Sequence, residues 1–124
     1  MTVTLDHTIV PALDNDAEAR FLAGIMGLEV LPPDGVAGHF APVRVNDGLT
    51  LQFMTVDDPQ PHHLAFAVGG AEFDAVLGRL REMGVPFGNS PWDSVNGRVD
   101  HPLCERGLFF TDRTGNLYEV MCSD

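Results

Sequence analysis

Gly48-Leu49-Thr50-Leu51-Gln52-Phe53-Met54 and Gly115-Asn116-Leu117-Tyr118-Glu119-Val120-Met121 state one pattern twice. Each starts at a turn glycine, runs through apolar residues, carries a single long polar side chain at its fifth place and closes on methionine. Reading backwards from each, the same order of segments precedes it. Asp6-His7-Thr8-Ile9-Val10-Pro11-Ala12 corresponds to His62-His63-Leu64-Ala65-Phe66-Ala67-Val68, and Met26-Gly27 corresponds to Met83-Gly84. The offset is nearly constant through the strand and helix and grows only afterwards, so the extra length of the second copy falls between Gly88 and Arg106. A repeat shorter than a domain implies two supersecondary units of the same kind. Each copy reads strand, helix, short strand, hairpin, which predicts an α+β fold of two tandem βαβββ modules, residues 1–58 and 59–124, within a single domain.

Local signals agree. Asn15 can cap the first helix with Glu18 reaching back to it, as in a capping box. Ala17, Phe21, Leu22 and Ile25 then form its apolar stripe, and Gly27 stands where a left-handed C-cap is wanted. In the second helix Phe73, Val76, Leu77, Leu80 and Met83 follow helical spacing up to Gly84. Asn46-Asp47-Gly48 and Arg113-Thr114-Gly115-Asn116 separate alternating runs and predict hairpin turns with Gly or Asn at positive φ. Pro32-Pro33-Asp34-Gly35, Asn89-Ser90-Pro91 and Asn96-Gly97 mark irregular loops, where a substrate rim would lie.

The 124 residues suit one domain, and 44% hydrophobic with 20% charged residues is ordinary globular chemistry. Eighteen acidic residues against seven basic give a net charge of −11, which argues against nucleic acid and anionic membranes as partners. That acidity fits a solvated surface and would also favour a cationic ligand. Cys104 and Cys122 are too few for a disulfide framework, and His101 with Cys104 is only an isolated H-x-x-C. Met1 to Asp6 lacks the features of a signal peptide and no apolar run approaches the ~20 residues of a membrane span, so a cytoplasmic location is expected.

Strand parity places His63, Ala65 and Ala67 on one face and Leu64, Phe66 and Val68 on the other, with the larger set under the helix. By the same rule Leu117, Glu119 and Met121 share a face, as do Thr50, Gln52 and Met54. A carboxylate inside so apolar a strand needs a partner or a cation. A lone strand histidine is commonly just hydrogen-bonded, and Glu119 could pair with Arg44 or Arg98. The repeat adds a reason for more: His7 matches His63, and Gln52 matches Glu119. Two imidazoles and a carboxylate with open positions suit one divalent cation such as Fe, Mn, Ni or Zn.

These segments together resemble the vicinal oxygen chelate superfamily, which includes glyoxalase I, extradiol dioxygenases, methylmalonyl-CoA epimerase and the fosfomycin- and bleomycin-resistance proteins. The resemblance rests on Leu5-Asp6-His7, on His63-Leu64-Ala65-Phe66-Ala67-Val68, and on Asp112-Arg113-Thr114-Gly115-Asn116-Leu117-Tyr118-Glu119-Val120, similar to the family's D-P-x-G-x-x-x-E ending with Arg113 in place of proline. It implies curved mixed sheets forming a cup, a homodimer, and metal ligands at His7, His63 and Glu119, with Gln52 an optional fourth. Gln52 offers an amide where many glyoxalase-type isomerases use a carboxylate base. The function implied is a metal-dependent lyase, isomerase or dioxygenase that binds a small substrate through adjacent oxygens, with Glu119 also a candidate proton carrier. Trp92, Arg98 and His101, in the long insertion of the second copy, are candidates for substrate binding. The competing expectation is a non-catalytic protein that sequesters a cationic drug, as bleomycin-resistance proteins do.

Overall fold

A computed structural model describes residues 2–123. The fold is α+β, with two helices and two mixed sheets. The chain forms two compact units, Met1–Gln60 and Pro61–Asp124.

In the first unit the order is β1 (His7–Ala12), α1 (Asn15–Met26), β2 (Glu29–Val30), β3 (Phe40–Asn46) and β4 (Leu49–Thr55). Its sheet runs β1-β4-β3-β2, with β1 parallel to β4 and the other pairs antiparallel. Leu22, Ala23 and Ile25 of α1 are buried, as are Val10, Val43, Leu51 and Phe53 of the sheet beneath. The helix begins one residue earlier than its sequence suggests. Asp14 is the N-cap: its carboxylate accepts from Ala17 N at 3.2 Å, and Glu18 Oε2 accepts from Asp14 N at 3.2 Å. Asn15 is instead committed elsewhere, its side-chain amide donating to the carbonyls of Gly38 and His39. The stripe shifts accordingly: Ala17 is exposed, Phe21 is half-buried, and Glu18 and Ala19 are buried. Gly27 closes the helix at φ 72° as expected.

The second unit holds β5 (His63–Val68), α2 (Gly70–Met83), β6 (Arg106–Thr111) and β7 (Leu117–Cys122), with sheet order β5-β7-β6. Phe73, Val76 and Leu80 of α2 are buried, Leu77 is half-buried and Met83 is exposed, and Gly84 ends the helix at φ 69°. Arg106 ties β6 to the start of α2, its guanidinium reaching Asp74 at 2.6 Å and lying 4.5 Å over the Phe73 ring. The short strand expected after α2 is reduced to one bridge, in which Gly88 and Phe109 exchange backbone hydrogen bonds of 3.1 and 2.7 Å. The loop that follows turns back on itself through Asn89 and Asn96, leaving no length for a ladder.

Both turns form, by different means. At the first, neither Asn46 nor Gly48 takes a positive φ; Asn46 Oδ1 accepts from Gly48 N and Leu49 N and bends the chain unaided. At the second, Gly115 has φ 98°. Here the buried Asp112 carboxylate gathers five donors: the backbone N–H groups of Thr114, Gly115 and Asn116, the Asn116 amide at 3.0 Å and the Tyr118 hydroxyl at 2.7 Å. Asn116 Oδ1 in turn accepts from His62 N at 2.8 Å, so the turn also fixes the entry to β5.

The registers reproduce the repeat. Ile9 lies opposite Gln52 in the first sheet, and Ala65 lies opposite Glu119 in the second. Each histidine therefore starts its strand two residues before the partner of the polar residue.

Two stability predictions follow from these contacts. Asp14→Ala is expected to lower unfolding free energy by about 1 kcal/mol through loss of the cap. Asp112→Ala strands several buried donors and should cost at least about 3 kcal/mol in urea denaturation; a loss below ~1 kcal/mol would contradict the role given to this turn.

Candidate functional site

The face of the second sheet turned away from α2 carries His63, Ala65 and Ala67 from β5, Leu117, Glu119 and Met121 from β7, and Gly107 and Phe109 from β6. The opposite face carries Leu64, Phe66, Tyr118, Val120, Leu108 and Phe110, of which the last four are fully buried. Parity thus separates the core from the polar residues as the alternation predicts. Glu119 lies between Ala65 and Phe109, and only 9% of it is exposed.

Its carboxylate is held at both oxygens. Oε1 is 3.0 Å from His63 Nε2, and Oε2 is 2.7 Å from His101 Nε2. Neither Arg44 nor Arg98 is the partner of Glu119. Arg98 binds Asp100 at 2.6 and 3.0 Å instead. That hydrogen bond, then the charge attraction, holds the Arg98 guanidinium above its ordinary value. Asp100 is held below the usual carboxylate range chiefly by the same hydrogen bond, then by a backbone hydrogen bond. Asp100 also accepts from the Asn89 amide at 3.1 Å, so this pair clasps the two ends of the loop.

A cleft of about 380 Å³ opens over the carboxylate. His63, His101 and Glu119 reach it from the sheet side, and Pro91, Trp92 and Leu103 form its outer wall. Trp92 is 93% exposed and Leu103 is 82% exposed. His101, expected at a rim, is instead buried beside Glu119, its side chain only 3% exposed. Cys104 donates to the Arg106 carbonyl at 3.0 Å and makes no pair with His101.

In the first unit His7 is exposed and its Nδ1 is 2.9 Å from Asp6 Oδ2. Gln52 shares the sheet face of His7 and lies between Ile9 and Pro42, and its Oε1 is buried with no hydrogen-bond partner.

The donor set can be tested against a metal. Two donors bound to one cation at about 2.1 Å, in tetrahedral or octahedral geometry, stand roughly 3.0–3.4 Å apart. The 3.0 Å between His63 Nε2 and Glu119 Oε1 meets this requirement. The orphaned Gln52 oxygen is an acceptor of the kind a cation satisfies. Among the described residues no three or more His, Cys, Asp or Glu side chains form a group that could hold a metal ion.

Residues 4–120 match the family model of the Glyoxalase/Bleomycin resistance protein/Dioxygenase superfamily. The chain belongs to this superfamily. Among solved structures it is similar to the oxidase ChaP-H2, at 38% identity and TM-score 0.89, over 100% of this chain and 96% of that one. It is equally similar to the oxidase ChaP-H1, at 38% identity and TM-score 0.89, over 99% and 98% of the two chains. The antibiotic-binding protein TnmS3, from a Streptomyces species, shares the fold at 19% identity and TM-score 0.71, over 99% and 98%. No curated protein matches the chain. No helix among the described residues is long and apolar enough to cross a membrane.

What sequence reading missed is the pairing of His101 with Glu119. The signal for it was present in Gly107: a glycine inside a buried strand commonly marks the close approach of another group.

The loop clasp carries a pH prediction. Asp100 has a depressed value in the folded protein, so its contribution is present above the unfolded value near 3.8 and is lost as pH falls through the lower folded value. Asp100→Asn should therefore have a slightly lower thermal midpoint than wild type at neutral pH, and the two should converge in acid. A gap that persists unchanged down to about pH 2 would contradict this.

Proposed function

We propose that this protein is a metal-dependent oxidase. In this reading His7, His63 and Glu119 are metal-ligand positions, with Gln52 as an optional fourth donor, and the cleft above Glu119 would receive a small substrate through adjacent oxygens. The observation that carries the reading is the buried Glu119 carboxylate set at ligand spacing from His63 Nε2 at the base of that cleft. The 38% identity to two oxidases over nearly the whole chain favours oxidation over isomerisation or elimination. Bound there, a divalent ion supplies a Lewis acid for adjacent oxygens and, when it is iron or manganese, a route for electrons to dioxygen.

The chain's own residues supply the rest. Asp6 engages Nδ1 of the His7 ring, and the Asp112 turn holds β7 so that Glu119 faces the cleft. Trp92, Pro91 and Leu103 offer apolar surface that a substrate would cover, excluding water from the carboxylate. Glu119, buried beside that surface, is also the nearest carboxylate for carrying a proton.

A second reading, sequestration of a cationic drug, is favoured by the net charge of −11. A homodimer and a cytoplasmic setting accord with either reading.

The discriminating experiment is metal analysis of the purified protein together with oxygen uptake on catechols, α-keto hemithioacetals and acyl-CoA thioesters. A stoichiometric transition metal, oxygen consumption with one substrate class, and loss of both in His63→Ala support the oxidase. Oxygen-independent turnover points to an isomerase instead. Metal-free protein that tightly binds a cationic aromatic compound without consuming oxygen sinks the proposal in favour of sequestration.

A further inference from the structure

We propose that His101 is a positioning residue that clamps Glu119 Oε2 and so commits the carboxylate to binding a cation through Oε1 alone. The clamp is read from geometry; its consequence for the metal rests on the function proposed above.

The tautomer of His101 follows from its neighbours. The backbone N–H of Leu103 donates to Nδ1 at 3.0 Å, and a backbone N–H can only donate, so Nδ1 bears the lone pair. The ring proton is therefore on Nε2, which donates to Glu119 Oε2 at 2.7 Å. The orientation is enforced as firmly as the tautomer. The ring stacks on Phe109 at 5.7 Å between centroids and 16° between planes. Gly107 also packs against it: a Cβ there would lie 2.6 Å from His101 Cδ2 and 2.8 Å from Cβ and Cγ. Any larger residue at 107 displaces the imidazole. Phe109 is the β6 partner of Glu119 itself, so the floor that holds the ring and the carboxylate it holds are adjacent in one sheet.

The chemical consequence concerns denticity. A carboxylate with both oxygens free can chelate a cation or swing between them. With Oε2 taken by a buried donor, only Oε1 is presented, toward His63 Nε2. A neutral donor suits this task, because it fixes the carboxylate without supplying a full positive charge that would compete with a cation. An anchored Glu119 also serves as a fixed ligand more readily than as a mobile proton carrier.

The test compares His101→Gln, which keeps an N–H donor, with His101→Leu, which removes it, and with Gly107→Ala, which displaces the ring without removing any polar side chain. Cobalt(II) and zinc(II) affinities would be measured by chelator competition, with the visible spectrum of the cobalt form as second readout and the urea midpoint as a check on folding. Expected results are a loss of about 10–100-fold in affinity for His101→Leu, a comparable loss for Gly107→Ala, recovery to within a few-fold in His101→Gln, and a changed cobalt spectrum only in the first two. Folded Leu and Ala variants that bind cobalt within about twofold of wild type and keep its spectrum would overturn the proposal, as would a Gln variant as weak as the Leu variant. If wild type binds no cation, the oxidase reading falls separately. The nitrogen chemical shifts of His101 then decide the clamp: protonation at Nε2 supports it and protonation at Nδ1 overturns it.

Discussion

The second unit depends on the way the Asp112 carboxylate is satisfied. Burying an ionised group is costly unless every lone pair finds a donor, and here five donors converge on it from a stretch of seven residues, 112–118. The result is a rigid turn whose exit sets β7 against β6 and, through Asn116, against β5. Side chains alternate along a strand, so a slip of one residue at this turn would move Glu119 to the helix face and Tyr118 into the cleft. The chemistry of the site is thus contingent on a structural carboxylate that never touches it.

Much of this architecture was legible because it repeats. The strand and helix segments, the C-caps at Gly27 and Gly84 and the division of faces in β5 and β7 follow from period and parity, and the structure has them. The misplaced features share a cause. Asp14, Asn15 and Asp16 can all cap a helix, and the choice among them is made by a distant loop whose carbonyls engage the Asn15 amide. At Asn46-Asp47-Gly48 a side-chain hydrogen bond substitutes for the unusual backbone conformation that the residue types suggest. The missing strand after α2 reflects the local closure of an insertion on itself. In each case hydrogen bonds made by side chains, rather than backbone propensity, decide the outcome.

The site was legible in part. His7, His63, Gln52 and Glu119 stood out through correspondence between the copies, and the registers preserve that correspondence within each sheet. Arg98 was a candidate for the substrate from its place in the long insertion, and its guanidinium pairs with Asp100 two residues away. His101 had no counterpart in the first copy, so the comparison that raised the other residues was silent about it. Only the glycine beneath it records in the sequence that something packs there.

The insertion between Gly88 and Arg106 therefore has a meaning beyond its length. Two halves built on one pattern have unequal electronic characters: one holds a buried amide oxygen with no hydrogen-bond partner, the other a carboxylate held by a ring from the long loop. The enlarged loop thereby gives the second half a chemistry that the shared pattern of segments does not supply to the first.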